Sequence, residues 1–383
     1  MINEEGVLAC FGEDAVYILT PYINADNNNI SVAYIGGDGS SLSEYVRNYN
    51  SMHTETNIDL IKYRKAEEFA EAVSLNKVFD IIVSDGRMYL GRYAEKGMFT
   101  DLKNFIDKDD TITNDEYMTN LLSMYSYDDK IYRIFPSFHI ELPMISKNTD
   151  TEQLINNPEN YYKYITENNI IIDAISKTDP LKYYIPFYIY DHTQNDKKVD
   201  FQTDEFIQLL NMIKQNSKIL YSENYESDVI EPTNYIDFSS LKKVVYSYDN
   251  KMKLEGFPGK NGPYISVVPE LCYSITERCT NKEEAWEIVK TCFMDDISKK
   301  STVINKKKYD QGLNELLKTE ISEDTESFNS LVQNVRFSMD VDPNITDIIT
   351  DEAKKYFNGE ANIENTVDII QNKVNIYIDE SSN

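Results

Sequence analysis

The glycine-rich run at residues 36–41 (GGDGSS) is the part of this sequence most similar to a ligand-binding loop. It follows a β-branched run and precedes a helical pattern, so it predicts a turn whose free backbone amides face an anion or a hydroxyl group. It lacks the G-x-G-x-x-G spacing and the lysine of a P-loop, which disfavours a nucleotide site. Two interpretations remain: a tight turn with no further role, or a loop that places Asp38 in a ligand cleft.

The residues that could act in nucleophilic or acid–base catalysis are scattered. The three histidines, His53, His139 and His192, lie far apart in the sequence, and no serine stands in a G-x-S-x-G run. A glycoside hydrolase needs two carboxyl groups on either side of a bond, and spacing along the chain does not reveal such a pair. A triad enzyme is therefore disfavoured, and a hydrolase that uses two carboxylates remains an alternative.

Asp340, Asp342 and Asn344 have the spacing of the first ligands of a calcium loop. Ile345 stands where such a loop needs glycine for its sharp turn, and no glutamate closes the loop. We therefore expect Asn344 to cap the helix that follows. The four cysteines lack paired C-x-x-C spacing, so they predict free or buried thiols rather than a zinc site, and no cofactor or metal is expected.

The chain of 383 residues carries a net charge of −27, 29 tyrosines and one tryptophan. A negative charge of this size argues against binding to nucleic acids or anionic membranes and favours a neutral or cationic ligand. Tyrosine is the residue available for stacking against a ligand. No run approaches the roughly 20 apolar residues of a membrane span, and the length suggests two domains or a two-lobed body.

Alternating strands and helices would position the loops in the first part of the chain. β-Branched runs predict strands, and apolar residues at helical spacing predict the helices between them. The predicted strands are 30–36, 57–63 and 79–85, and the predicted helices are 42–52, 66–73 and a short one near 88–96. Such alternation implies parallel strands with crossover helices, and so an α/β lobe.

The remainder of the chain is predicted to be mostly helical, apart from two extended runs. Pro136 and Pro143 bracket part of the first run, which suits a connection between lobes better than a central strand. The second run, 264–276, precedes a capping box at Thr280 and Glu283. Further helices are predicted from Thr113, at 161–174, after Thr203, at 345–357 with Gly359 as C-cap, and at 367–377.

Four segments, taken in order, carry a family pattern. The run DDKIYRIFPSFHIELPMISKN is similar to G-K-x-Y-x-x-P, with Asp129 in place of the usual glycine. The run GFPGKNGPYISVVPELCYSITERCTNKEEAWEIVKTCF is similar to G-x-P-G-x-x-G…I-x-x-x-S-x-N-K-E-A-A-W-E-F. The others are FDIIVSDGRMYLGRYAEKGMFTDLKNFIDKDD and ITDIITDEAKKYFNGEANIENTVDIIQNKVNIYIDE. In this order they resemble the family 1 extracellular solute-binding proteins of bacterial ABC transporters.

The resemblance implies an α/β, two-lobed, periplasmic-binding-protein-like (type II) fold in which hinge strands join the lobes. By analogy, the first lobe combines residues 29–140 with 268–308, and the second combines 146–262 with 309–383. Trp286 would then be a core residue of the first lobe rather than a platform for sugar. Residues 1–28 are expected to be a strand pair and a linker. Two interpretations remain: these residues are the remnant of a preceding domain in a larger parent, or a leader and an anchoring cysteine have been trimmed from the chain.

The resemblance also implies a non-enzymatic function, in which the cleft captures a sugar or oligosaccharide for an ABC-transporter permease. The protein would be a monomeric, extracellular lipoprotein. Rings would stack on the sugar while carboxylates and amides bind its hydroxyl groups. The expected ligand-binding residues are Asp38, Asp85, Arg87, Phe138, His139, Glu141, Tyr188 and Tyr264. The alternatives are a cationic or peptide ligand, the two-carboxylate hydrolase, and a degenerate lobe that binds other proteins.

Overall fold

The computed structural model describes residues 8–11, 16–19, 28–53, 55–112, 116–127, 130–151, 154–174, 176–193, 198–218, 228–247, 251–295, 302–335 and 341–381. The strand pair predicted near the N-terminus is present as β1 (Leu8–Phe11) and β2 (Val16–Leu19), which run antiparallel. The helix predicted from Thr113 begins at a residue outside the described ranges.

Strands and helices alternate in the segment that builds the first sheet, and short elements follow. In chain order they are β3 (Asn28–Ile35), α1 (Ser40–Met52), β4 (Thr56–Tyr63), α2 (Ala66–Ser74), β5 (Ile81–Asp85), α3 (Gly91–Glu95), α4 (Lys103–Ile106), α5 (Thr119–Leu122), a 3-10 helix (Ser123–Tyr125), β6 (Ser126–Tyr127) and β7 (Lys130–Ile131). The predicted alternation is thus confirmed, and the short helix predicted near 88–96 is reduced to α3.

The rest of the described chain is mostly helical, with strands that build a second sheet. In chain order the elements are β8 (Phe138–Ser146), α6 (Pro158–Glu167), β9 (Ile171–Asp173), α7 (Leu181–His192), α8 (Asp204–Asn216), β10 (Ser217–Lys218), β11 (Val229–Ile236), α9 (Leu241–Ser247), β12 (Met252–Leu254), β13 (Ser266–Pro269), β14 (Leu271–Ile275), α10 (Lys282–Asp295), α11 (Lys306–Leu316), α12 (Ser322–Gln333), α13 (Pro343–Phe357) and α14 (Ile363–Ser381).

The first sheet has the strand order β14-β5-β3-β4, and β3 runs parallel to both β4 and β5. Both faces are buried, because successive side chains of β3 point to opposite sides: Val32 packs in one core cluster and Ala33 in another. Leu42 and Val46 of α1 cover the Val32 face. The carboxyl ends of β3 and β5 meet at one edge, where residues 36–41 and 85–90 lead away from the sheet.

The second sheet has the order β10-β9-β11-β8-β12, and β13 also pairs with β8. The strand β8 is therefore central, and the prediction that its run is a connection rather than a central strand is wrong. Pro143 cannot donate a ladder hydrogen bond, but the register of β11 against β8 shifts between Glu231 and Asn234, opposite this proline. The carbonyl of Pro143 accepts from the Glu255 amide at 3.1 Å.

The chain passes between the two sheets within the extended run 264–276. The strand β13 pairs antiparallel with β8 in the second sheet, and β14 pairs antiparallel with β5 in the first, with only Glu270 between them. The segment before β8 makes the same passage in the opposite direction, since Ile134 bridges to Tyr273 of β14. Two adjacent extended segments therefore connect the lobes.

Helices in the second half agree with the sequence except at one end. The helix predicted at 161–174 ends at α6, because Asn169 adopts a left-handed conformation (φ 54°) and the β-branched residues after it form β9. As predicted, α8 begins after Thr203, whose hydroxyl accepts from the Phe206 amide at 3.1 Å. Gly359 also ends α13 as predicted, with φ 78°.

Two predicted helix caps are displaced along the chain. The first turn of α10 is capped by Asn281, whose Oδ1 accepts from the Glu284 amide at 3.4 Å, and not by Thr280. The cap of α13 is Asp342 rather than Asn344: the Asp342 carboxylate accepts from the Asn344 amide at 3.0 Å. In both helices the observed cap is a residue of a type that favours capping, and it lies one or two positions from the predicted cap.

Trp286 of α10 is a buried core residue, as predicted. Its ring is 4% exposed, and its indole nitrogen donates to Asp109 at 3.0 Å. The cluster that holds Trp286 also includes Val32 of the first sheet and Ile140 of the central strand β8, so one apolar core continues from one sheet to the other. A second cluster, which includes Ile145, fills the far side of the second sheet under α6, α7 and α8.

Candidate functional site

A cavity of about 340 Å³ lies between the two lobes. Residues from 89–99 and 124–133 form one wall, and α7 with Thr193 and Val341 forms the other. Its lining is mainly aromatic and apolar, with a few charged side chains: Tyr89, Leu90, Gly91, Ala94, Glu95, Phe99, Met124, Tyr125, Ser126, Tyr132, Arg133, Pro186, Ile189, Tyr190, Thr193 and Val341. An apolar cavity with a few convergent polar groups is the usual form of a small-molecule site.

Four tyrosines make the cavity lining strongly aromatic: Tyr89, Tyr125, Tyr132 and Tyr190. Tyr190, on α7, is 52% exposed, so the ring presents surface toward the cleft. Arg133 lies against this aromatic group, with its guanidinium carbon 4.5 Å from the Tyr125 ring centre and its Nη1 donating to the Met88 carbonyl at 3.0 Å. Rings of this kind offer flat apolar faces, and a phenol hydroxyl group can both donate and accept a hydrogen bond.

A polar cluster stands at the passage between the sheets, and its Arg87 lies two positions before the cavity residue Tyr89. Arg87 follows β5, and its Nη2 donates to Oε1 of Glu141 on β8 at 2.8 Å. Glu141 is 2% exposed, whereas the Arg87 side chain is 51% exposed. The guanidinium of Arg87 also lies 4.7 Å from the ring centre of Tyr235, the residue that faces Glu141 on β11. The cluster therefore joins the first lobe to the central strand of the second sheet.

His139 belongs to the same cluster because it lies two residues before Glu141 on β8 and so on the same face of the strand. Its Nδ1 is 3.2 Å from Oε1 of Glu270, and its Nε2 is 3.7 Å from Oε1 of Glu141. Burial alone would lower the pKa of His139, but the hydrogen bonds to Glu141 and Glu270 outweigh burial and raise that pKa. Protonation of His139 is therefore favoured by two neighbouring carboxylates.

The structure brings together three of the predicted site residues, Arg87, His139 and Glu141. Asp85 is adjacent, since its carboxylate accepts from the Arg87 amide at 3.0 Å. Asp38 lies exposed in the loop after β3, where its carboxylate accepts from the Ser40 amide at 2.9 Å. These residues all stand at the carboxyl ends of strands of the first sheet or on β8.

None of the eight predicted site residues is among those that line the cavity, and the other three are buried in the apolar core: Phe138, Tyr188 and Tyr264. Phe138 packs in the core beneath β8. The Tyr188 hydroxyl donates to the Asp200 carbonyl, and the Tyr264 hydroxyl donates to Asp191 at 2.6 Å. Tyr264 lies behind the cavity wall, with its ring 5.7 Å from that of Tyr190. In this conformation these residues support the site rather than face it.

Sequence reasoning missed the tyrosines of the cavity. The signal for Tyr190 was present in the run KYYIPFYIYDH, which supplies tyrosines all around one helix, but nothing in the sequence says which of them faces the cleft. Tyr89 follows Arg87 by two residues, so the predicted site residues at the end of β5 indicated a segment that does line the cavity. Tyr125 and Tyr132 flank the short pair β6–β7, which has no ligand-binding pattern.

The calcium hypothesis is only partly covered by the described residues. Asp340 lies outside the described ranges, while Asp342 is engaged as a helix cap.

Across the ranges that are described, no group of histidine, cysteine and carboxylate side chains could hold a metal ion, and no helix has the length and apolar character to cross a membrane. Cys272, Cys279 and Cys292 are buried thiols, which confirms that prediction for three of the four cysteines.

Comparison with known proteins bears on the fold. No protein-family model matches the sequence, and no curated protein sequence does. An ABC substrate-binding protein of Listeria monocytogenes in complex with cycloalternan matches with a TM-score of 0.60 at 14% identity, over 92% of this chain and 99% of that chain. The sugar-binding protein MalE of Xanthomonas citri matches with a TM-score of 0.60 at 9% identity, over 91% and 96% of the two chains.

A cyclic alpha-maltosyl-1,6-maltose binding protein of Arthrobacter globiformis matches equally well, with a TM-score of 0.60 at 14% identity over 91% of this chain and 98% of that chain. The chain thus has the two-lobed α/β fold of the substrate-binding proteins of ABC transporters. The predicted fold class and the predicted resemblance are confirmed at the level of the fold.

Proposed function

We propose that this protein captures a carbohydrate in the cavity between its lobes and delivers it to the permease of an ABC transporter. The observation that carries the proposal is the placement of tyrosine rings from both lobes around one cavity: Tyr89, Tyr125 and Tyr132 on one side and Tyr190 on the other. Sugars present apolar faces to such rings and hydroxyl groups to the polar atoms between them. The shared fold with sugar-binding proteins supports the same conclusion.

The proposed mechanism is closure of the lobes on the ligand. The lobes are taken as residues 29–140 with 268–308 and residues 146–262 with 309–383, joined by the two extended segments that pass between the sheets. A ligand that contacts both walls of the cavity binds the closed form better than the open form, and so it increases the closed population. Hinge strands suit this motion because a few backbone torsions at their ends can move whole lobes.

The ligand is proposed to be neutral, because the cavity lining carries one anion and one cation, Glu95 and Arg133, and the charged groups of the nearby polar cluster are paired with one another. Arg87 is paired with Glu141, and His139 lies between Glu141 and Glu270. The same pairing disfavours the two-carboxylate hydrolase. Burial alone would raise the pKa of Glu141, but hydrogen bonds from His139 and Arg87 lower it, so the group stays ionised. A glycosidase needs one carboxyl group whose pKa is raised so that it can donate a proton.

The setting of the function follows from the proposed transport role. The protein would act as a monomer outside the cytoplasmic membrane, anchored as a lipoprotein, and would dock on a permease that receives the sugar. Solved structures of similar fold include an ABC substrate-binding protein with a bound cyclic sugar, which is consistent with this role.

The test is isothermal calorimetry of the full chain with neutral mono- and oligosaccharides, repeated with Tyr190→Ala. Loss of one stacking face is expected to weaken binding by about 1.4 kcal/mol, or a tenfold increase in Kd. Tyr246→Ala is the matched control, because Tyr246 is similarly exposed but lies outside the cavity. Heat from polyamines or peptides but from no sugar would refute the carbohydrate assignment. Turnover of a chromogenic glycoside would favour the hydrolase instead.

A further inference from the structure

An ion pair joins the two lobes at the mouth of the cavity. Arg92, on α3 of the first lobe, donates from Nε to Oδ2 of Asp342 at 2.8 Å, and its Nη2 lies 2.7 Å from the same oxygen. Asp342 stands at the start of α13 in the second lobe. The Asp342 side chain is 8% exposed and the Arg92 side chain 35% exposed, so the pair is partly shielded from water.

The helices of the two partners pack in different apolar clusters, and among the described residues neither helix contributes to the cluster that continues from one sheet to the other. Ala94, in the helix of Arg92, packs in the cluster on the outer face of the first sheet. Ile349, in the helix of Asp342, packs in the cluster of the second lobe. A motion that separates α3 from α13 would therefore break the ion pair without disturbing either of these two clusters.

Tyr377 of α14 completes the contact. Its hydroxyl donates to Oδ2 of Asp342 at 2.9 Å, and its ring centre lies 4.7 Å from the guanidinium carbon of Arg92. The Tyr377 ring and the Asp342 carboxylate thus form a site on the second lobe that binds the guanidinium group of Arg92. Both ionic residues are next to residues of the cavity wall, since Gly91 and Val341 line it.

We propose that Arg92, Asp342 and Tyr377 form an interlobe clasp that favours the closed form before any ligand arrives. Arg92 and Asp342 act as positioning residues: they bring the wall at Gly91 against the wall at Val341 and touch no ligand themselves. The inference rests on the proposed closure of the lobes but not on the identity of the ligand. By holding part of the population closed, the clasp raises the affinity for whatever fills the cavity.

The test is small-angle X-ray scattering of the full chain without ligand. Asp342→Asn removes the charge but keeps a good helix cap, so α13 is expected to remain folded. We expect the variant to show a larger radius of gyration and longer interatomic distances than the wild type. Glu167→Gln is the matched control, because it also removes one negative charge from an ion pair, but within the single helix α6. The control is expected to scatter as the wild type does.

Two further variants separate the clasp from a general loss of stability. Arg92→Gln is expected to open the chain to the same extent as Asp342→Asn, and the double variant to open it no further, because both changes break one contact. Tyr377→Phe, which keeps the ring, is expected to have a smaller effect. Salt is expected to expand the wild type more than Asp342→Asn, since it screens the pair.

The clasp is refuted if Asp342→Asn scatters as the wild type does, if Glu167→Gln expands the chain equally, or if the two single changes add. These outcomes do not depend on sugar binding. A chain that binds no carbohydrate but opens on loss of Asp342 would overturn the proposed function and leave the clasp standing, and the reverse result would overturn the clasp alone.

Discussion

Replacement of Glu141 by glutamine isolates the charge at the centre of the polar cluster. Glutamine keeps the shape of the side chain but cannot pair as an anion with Arg87, 2.8 Å away, or with His139, 3.7 Å away. A hydrogen bond to a charged group contributes about 1.5–3 kcal/mol to stability. Because half of the Arg87 side chain is exposed, solvent weakens its share, and we expect a loss of about 1–2 kcal/mol in the free energy of unfolding.

The loss is expected to depend on pH in a direction set by the two neighbours. The pKa of Glu141 is lowered from 4.5, so its contribution is present above pH 4.5 and disappears as the pH falls through the folded value. The pKa of His139 is raised from 6.5, so its contribution is complete below pH 6.5 and disappears as the pH rises through the folded value. Both contributions are therefore complete between those two ordinary values.

The measurement is urea unfolding of the wild type and Glu141→Gln at several pH values. The difference between the two proteins is expected to be largest near pH 5.5 and to shrink on both sides. Glu167→Gln, at an exposed pair within one helix, should show no such maximum. A Glu141→Gln protein as stable as the wild type at pH 5.5, or a difference that grows steadily with pH, would refute the assignment of the cluster.

Two other changes test the packing that holds the site in place. Gly86→Ala is expected to destabilise the chain by about 1–3 kcal/mol, because an added Cβ would lie 2.0 Å from the Pro269 carbonyl oxygen at the passage between the sheets. Gly37→Ala is the control and should be tolerated, because the space around Gly37 is open. Equal urea midpoints for the two variants would contradict this prediction. Ile370→Ala in the buried face of α14 is expected to cost about 2–5 kcal/mol, while Ile376→Ala on the same helix, 56% exposed, should cost little; similar losses at both positions would show that the helix does not pack as described.

The first sheet could be predicted because its signals are local. Runs such as ISVAYIG and FDIIVSD have the length and β-branched content of buried parallel strands, and the helices between them have one apolar face. The core position of Trp286 came from the family resemblance rather than from the residue itself. The misplaced caps differ from the observed ones by one or two residues, because serine, threonine, aspartate and asparagine compete for the same role.

The central strand β8 could not be recognised because the rule that excludes proline from such strands has an exception that depends on the partner strand. Pro143 is accommodated by an irregularity in β11, whose own sequence contains Pro232 nearby. Such a match between distant residues is invisible when each run is read separately.

The residues of the site also show that a run of sequence read alone does not reveal its contacts with distant residues. His139 and Glu141 were predictable as neighbours, because residues two apart on a strand share a face. Tyr188 and Tyr190 are two apart on a helix, where each residue turns the chain by about 100°, so they point to opposite sides and only one can face the cavity. The helix α7 is apolar on most of its circumference, and its sequence therefore does not fix its rotation. Contacts with other elements hold the rotation, among them the hydrogen bonds of the Tyr188 hydroxyl with the Asp200 carbonyl and with Thr203, and ring packing against Phe201 and Phe206. With Tyr188 held on the buried side, Tyr190 lines the cavity.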